Sequence, residues 1–414
     1  MSAYLTKIFI GISYGISFPL TITIVDYWLK DLGVSNTAIG LFSLIHLPFM
    51  LKFFWGIFIE NYDIPILSRW MSRYKSWLVL SYLGLIFGIL TMALSSPQSS
   101  LVFLILGASL VSISDGCKNV VLYPYQLIDS DKNSIGFIAS CVNLGHRLGG
   151  IFVKVSVLQI AHFFGWPMAY TFAAVLTFII MIITLFLKEP NQSQISSKNK
   201  QLTLKDAWLT SFYNPLMNFF KDKSHITIVA VICLYKSADF MMQKMSRMFC
   251  IEQGFSKLEI ANIVQFYGSI MVIVGSILGG FVIKKLRLKK SMCFALLLHG
   301  FSLASYLLLL NYGKNSALLS SIITLEALSG GMMSTCFISF FYAISSNMTI
   351  YSVLWALHEL AGLMFMSTSG IISQWLGWNY FFAIIPLLII PGLVFIKLLP
   401  NFLISDSKYY NKVH

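Results

Sequence analysis

Asp115, Lys118 and Asn119 stand at i, i+3 and i+4, and Asn143, His146, Arg147 and Gly150 repeat that geometry further along. On a helix such a spacing puts the polar groups on one face. Lys236 and Asp239 lie one turn apart, with Gln243 a turn beyond, while Lys52, Lys154, Lys244, Glu326 and Glu359 stand singly. All ten of these charged side chains fall inside otherwise apolar runs, where each costs at least ~2.5–3.5 kcal/mol at mid-bilayer unless it is paired or faces water. Either each forms a local ion pair that keeps helices in register, or together they line a polar cavity. Six of the ten are basic, so a cavity would favour an anion. Lys and Arg neutralise carboxylate or phosphate, Arg bidentately. The candidate solute-binding residues are Lys52, Trp55, Lys118, Asn119, Arg147, Tyr235 and Lys236. Aromatic rings such as Tyr14, Tyr123, Tyr125, Tyr267, Trp55 and Tyr235 offer stacking surface. A carboxylate in a dry site gains or loses a proton as a nearby cation leaves or returns, which makes Asp239, Glu326 and Glu359 candidate proton-coupling groups.

The elements that must position these groups are long apolar stretches. The 414 residues are 57% hydrophobic and 11% charged, with mean hydropathy +0.77, which excludes a soluble fold. Apolar stretches fall at about 8–27, 37–59, 76–95, 101–127, 135–161 and 166–187, then at 225–247, 259–283, 291–310, 316–345, 350–374 and 379–399. Each is long enough to cross a bilayer as a helix. The expected fold is therefore an all-α integral membrane protein of twelve transmembrane helices, with halves at 1–187 and 225–414 joined by a linker at 188–224. The linker opens with a polar run, Asn191 to Gln201. Beyond it, Thr203 and Asp206 form a capping-box pattern before Leu204, Trp208, Phe212, Leu216 and Phe220, which predicts an amphipathic helix on the membrane surface. The first span is expected to be retained, since no small-residue cleavage site follows it.

The net charge of +13 is explained by loop placement without a nucleic-acid partner. Nineteen loop Lys and Arg fall on one side of the expected spans and four (Lys30, Arg247, Lys257, Lys314) on the other, which puts both termini in the cytoplasm. The six cysteines show no C-x-x-C spacing and read as packing residues. Enzyme signatures do not survive context. Gly11-Ile12-Ser13-Tyr14-Gly15 fits G-x-S-x-G but lies within an apolar helix, and there is no H-E-x-x-H or Walker A sequence. No cofactor or metal is expected. The pairs Gly11/Gly15, Gly84/Gly88, Gly145/Gly149 and Gly275/Gly279 put small residues one turn apart, where helices can approach closely. Six spans, a long connection and six more describe the major facilitator architecture.

Several motifs, taken in order, resemble the AmpG muropeptide permease family. In the first half these are Lys52-Phe53-Phe54-Trp55 with Glu60-Asn61-Tyr62, and Gly145-His146-Arg147-Leu148-Gly149. The second half carries Tyr235-Lys236-Ser237-Ala238-Asp239, Gly254-Phe255-Ser256 with Glu259-Ile260, Gly279-Gly280, and Glu326 with Gly330-Gly331-Met332. Ser369-Gly370, Gly377-Trp378 and Pro391-Gly392-Leu393 complete the set. The resemblance implies proton-driven import, across a bacterial inner membrane, of N-acetylglucosaminyl-1,6-anhydro-N-acetylmuramyl peptides released by wall turnover. A lone monomer in the bilayer would suffice, with the solute and protons as its partners. The chain departs from the family in the fourth span, where a Q-D-x-x-x-D-x-W-K pattern is replaced by Lys118-Asn119-Val120-Val121-Leu122-Tyr123-Pro124-Tyr125-Gln126. Two acids and a lysine are missing there, and Asp115, one turn from Asn119, is the candidate replacement for proton coupling. A facilitator or symporter for another organic anion, nucleotide-like or acyl-CoA-like, is the alternative.

Overall fold

Apolar composition sustained over twenty or more residues leaves a backbone no partner but itself, so in a bilayer these stretches must be helices. In the computed structural model they are. It describes residues 3–50, 52–65, 67–95, 100–126, 135–187, 224–344 and 348–399, with four isolated positions between 188 and 223, and shows no strand among them. The expected linker and its amphipathic helix lie outside the described residues. Ten described helices are long and apolar enough to cross a membrane, the last of them, Leu354–Leu398, being 45 residues long. That last run is broken at Gly377, whose φ of 70° no L side chain adopts readily, and so contains two of the expected stretches. The stretch expected at 37–59 is also broken. Asn36–Phe42 gives way to a tight turn at Ser43–His46 before Leu47–Met50 and Lys52–Asn61, because Pro48 cannot donate to the helical ladder.

The chain divides into two compact units, Met1–Gly33 with Leu44–Leu204, and Val34–Ser43 with Lys205–His414. In the first, α1 (Ala3–Pro19) continues through a wide π turn at Leu20–Ile24 into α2 (Val25–Asp31). The π turn begins just after Pro19, where a missing N–H has to be absorbed. The next helix, α3 (Asn36–Phe42), falls in the second unit, and the first resumes with α4 (Leu47–Met50), α5 (Lys52–Asn61), α6 (Arg73–Ala93), α7 (Val102–Gln126), α8 (Ile135–Phe164) and α9 (Trp166–Leu185). Helices α1 and α8 touch backbone to backbone. A Cβ added to Gly145 would lie 2.0 Å from the Ile8 carbonyl oxygen, and one on Gly11 would lie 2.1 Å from that of Val142. Gly145→Val is therefore expected to destabilise the protein by about 3 kcal/mol or more, since the atoms it meets, of Ile8 and Ile12, are backbone and cannot swing away. A melting temperature within a degree of the parent's would contradict that.

The second unit holds α10 (Ser224–Leu234), α11 (Ser237–Glu252), α12 (Gly268–Leu286), α13 (Leu288–Ala304), α14 (Tyr306–Tyr312), α15 (Ser316–Ile344), α16 (Met348–Ile384) and α17 (Ile389–Leu398). The Gly254-Phe255-Ser256 motif proves to be a turn and a helix start: Gly254 has φ 83°, and Ser256 with Glu259 closes a capping box. Arg247, placed in a loop by the charge count, lies inside α11 and is 9% exposed, because that helix runs on to Glu252.

Between α5 and α6, Arg73 grips Asp63 with Nε on Oδ1 (2.5 Å) and Nη2 on Oδ2 (3.2 Å). The guanidinium hydrogen-bonded to it holds the Asp63 carboxyl below the usual carboxylate range. The pair is exposed, at 37% and 56%, so it is expected to contribute under ~1 kcal/mol. A lowered pKa stabilises the fold at pH values above the ordinary carboxylate value and stops doing so as pH falls through the folded value. Melting Asp63→Asn beside the parent should show a small deficit at pH 7 that shrinks as pH falls below the ordinary carboxylate value of about 4 and is lost below the lowered folded value.

Candidate functional site

Among the described residues each unit holds a cluster built on an intramembrane Lys–Asp pair, and the two differ in exposure. In the first unit Lys118 is fully buried, its Nζ 2.7 Å from Asp115 Oδ1, 2.7 Å from the Ser13 carbonyl and 3.0 Å from Ser17 Oγ. The ammonium thus makes two hydrogen bonds to α1 beside its ion pair with Asp115. Ser13 Oγ in turn lies 2.6 Å from the Tyr82 hydroxyl, which is 3.0 Å from Thr184 Oγ1. The network ties α1, α6, α7 and α9 together. Asn119 turns its amide back onto the Asp115 carbonyl at 2.7 Å. The i, i+3, i+4 face of α7 is thus closed by helix contact.

The other predicted residues of this unit are more accessible. Arg147 is half-buried on α8 and has no hydrogen-bond or ion-pair partner among the described residues. Lys52 is exposed, its Nζ 5.2 Å from the centroid of Phe49. Trp55 donates to the Pro48 carbonyl at 3.1 Å and lies edge-on to Gly116 of α7.

In the second unit the seventh apolar stretch does not run through as one helix. It breaks at Tyr235 and Lys236, where Lys236 has φ −107° and ψ 13°, between α10 and α11. Carbonyls near the break find side-chain donors, the ring of His358 on Ile232 (3.1 Å) and the Ser237 hydroxyl on Leu234 (2.8 Å). Discontinuous helices of this kind build ion and substrate sites in transporters. Lys236 Nζ is 3.4 Å from Asp239 Oδ2 and donates to Ser334 Oγ at 3.2 Å. Gln243 Nε2 also reaches Asp239 Oδ2 (3.1 Å), and His299 Nε2 approaches Oδ1 (3.3 Å). The Lys236 side chain keeps 15% exposure where Lys118 keeps none.

Glu326 accepts a 2.5 Å hydrogen bond from the Tyr306 hydroxyl, and Ser329, one turn along α15, joins Glu326's carbonyl to His299. Glu359 is half-buried on α16 beside His358. Tyr235, read from sequence as a solute contact, is 1% exposed, stacked on Phe337 at 5.2 Å with its hydroxyl on the Met292 carbonyl. It is a packing residue of the break. His299, Ser329 and Tyr306 were absent from the sequence reading. The signal for His299 was there, an imidazole in the middle of the apolar run Leu296-Leu297-Leu298-His299, but a count of formal charges passes over it.

Apolar helices with ionisable groups held inside them, one cluster sealed and the other gathered at a helix break, define a polytopic membrane protein of the transporter class. The chain belongs to the Major Facilitator Superfamily, whose sequence model matches residues 4–365. Among its relatives, the Rickettsia felis protein named "Putative transporter AmpG 4" is 25% identical over 395 residues, 94% of each chain. AmpG 1 of Rickettsia bellii is 24% identical over 94% of this chain and 96% of its own. A nucleoside transporter NupG structure superposes with TM-score 0.65 at 12% identity, over 96% of this chain and all of that one. A peptide transporter POT structure gives 0.72 at 12%, over 97% and 95%. The chain is thus a secondary transporter of the major facilitator type, multi-pass and membrane-embedded.

Proposed function

We propose that the chain imports anhydromuropeptides together with protons, by alternating access, as a monomer in a bacterial inner membrane with both termini cytoplasmic. The observation that carries this reading is the partly open Lys236–Asp239 pair at the break of the seventh stretch. A solute carboxylate can compete with Asp239 for the Lys236 ammonium, because that ammonium is not sealed as Lys118's is. Asp239, left in a buried site without its cation, then takes a proton. Release of the solute returns Lys236 to Asp239 and expels the proton. Arg147 and Lys52 are the further cations for a peptide carboxylate, and Trp55 is the ring for a sugar face. Glu326 and Glu359 are the remaining proton candidates. Lys118, Asp115 and Asn119 hold helices in this reading, and the altered fourth span takes no direct part.

Likeness over nearly the whole chain to proteins named AmpG supports the solute class. The lost acids of the fourth span favour a second reading, a symporter or facilitator for another organic anion. Cells lacking their own permease and expressing this chain separate the two. Uptake of labelled anhydromuropeptide that a protonophore abolishes supports the first reading. Competition by nucleotide-like or acyl-CoA-like anions, with no muropeptide uptake, supports the second.

A further inference from the structure

We infer that His299 carries the exchangeable proton of the second unit and passes it to Asp239. The inference rests on the proton-coupled reading above and adds to it a residue that reading did not use. His299 is 1% exposed on α13, with Nδ1 hydrogen-bonded and Nε2 buried without a hydrogen-bond partner. Nδ1 lies 3.0 Å from Ser329 Oγ, and Nε2 lies 3.3 Å from Asp239 Oδ1. The Ser329 hydroxyl has one hydrogen, which it donates to the Glu326 carbonyl at 3.0 Å, an atom that can only accept. Ser302 Oγ, also 3.0 Å from Ser329, sends its own hydrogen to the His299 carbonyl at 2.7 Å. With its hydrogen so directed, Ser329 meets Nδ1 with a lone pair, and the ring donates from Nδ1 in that arrangement. A neutral imidazole has only one N–H. With that hydrogen on Nδ1, Nε2 and the Asp239 carboxylate would face each other lone pair to lone pair. Nε2 is a buried atom without a hydrogen-bond partner, and a second proton, on it or on Oδ1, would give it one.

Lys236 and Gln243 face Asp239 from α11, while Glu326 of α15, held by Tyr306, closes the far side of the cluster. When a solute carboxylate draws Lys236 away, the proton crosses from Nε2 to Oδ1. One N–H bond breaks, one O–H bond forms, and imidazolium and carboxylate both become neutral. Lys236 and the solute then keep the remaining opposite charges.

The test uses the purified chain in proteoliposomes, with labelled anhydromuropeptide as probe. His299→Gln is expected to lower accumulation driven by a pH gradient about 100-fold, the scale of a deleted proton-transfer group, while solute-for-solute counterflow stays within about twofold. Accumulation at the parent level, or equal loss of both activities in a folded variant, overturns the inference. A nitrogen-15 histidine NMR spectrum of the parent, with the His299 signals identified by their shift in Ser329→Ala, keeps the inference testable if His299→Gln does not fold. A protonated Nδ1 is expected, and a bare Nδ1 with hydrogen on Nε2 alone overturns it. Parent protein that exchanges solute but ignores the gradient contradicts the proton-coupled reading itself, a result distinct from failure of the variant.

Discussion

Lys236→Met raises the KM for an anionic solute by roughly 10- to 100-fold, the worth of one charge-assisted hydrogen bond, while Lys236→Arg keeps most of the affinity. The reason lies in the local geometry. Lys236 stands at the break between α10 and α11, 3.4 Å from its carboxylate partner, with exposed surface left on its side chain. Its ammonium can change partners without unfolding anything. Asp239→Asn separates binding from coupling. The amide keeps the shape but cannot be charged, so Lys236 is left free for solute and exchange continues, while uphill accumulation fails. Initial-rate uptake and counterflow on the same vesicles read both. Unaltered KM in Lys236→Met would remove this residue from the solute site.

Lys118→Met behaves differently although the two lysines look alike in sequence, each one turn from an aspartate. It leaves Asp115, with a side chain 3% exposed, as a buried charge without its cation, and breaking one side of a buried pair costs about 3–5 kcal/mol. Asp115→Leu does the same in the opposite sense. The double variant Asp115→Leu with Lys118→Met removes both charges and should regain most of the lost stability, since well-packed apolar residues replace buried pairs at little cost. Fluorescence-detected melting of the three variants measures it. If the single variants melt like the parent but no longer transport, the pair belongs to the solute path and the sealed network of α1, α6, α7 and α9 is not its role.

These two lysines also mark what the sequence could tell. Spacing placed Lys118 with Asp115 and Lys236 with Asp239 on their helices, because periodicity fixes neighbours along one helix. It could not distinguish sealed from open, since that depends on Ser13 and Ser17 of α1 reaching Lys118 and on Ser334 of α15 reaching Lys236. The break at Lys236 left no trace either, since neither Pro nor Gly lies beside it. The span limits were readable to a few residues where composition changes. They slipped at Arg247, a basic residue taken as loop punctuation though the helix carries it inward. The glycine pairs were legible as close approaches, and the structure adds which helices they join. His299 escaped because Ser329 and Asp239, the groups its two ring nitrogens face, are brought together only by the fold.

Solute and proton are proposed to move together through the Lys236–Asp239 pair. This coupling is tested most directly by loading proteoliposomes of the purified chain with buffer more alkaline inside than out and following labelled anhydromuropeptide. Accumulation above the external concentration is expected, collapsing with a protonophore and absent in Asp239→Asn. Accumulation that reaches only the external concentration, unchanged by the gradient and the same in Asp239→Asn, would contradict it.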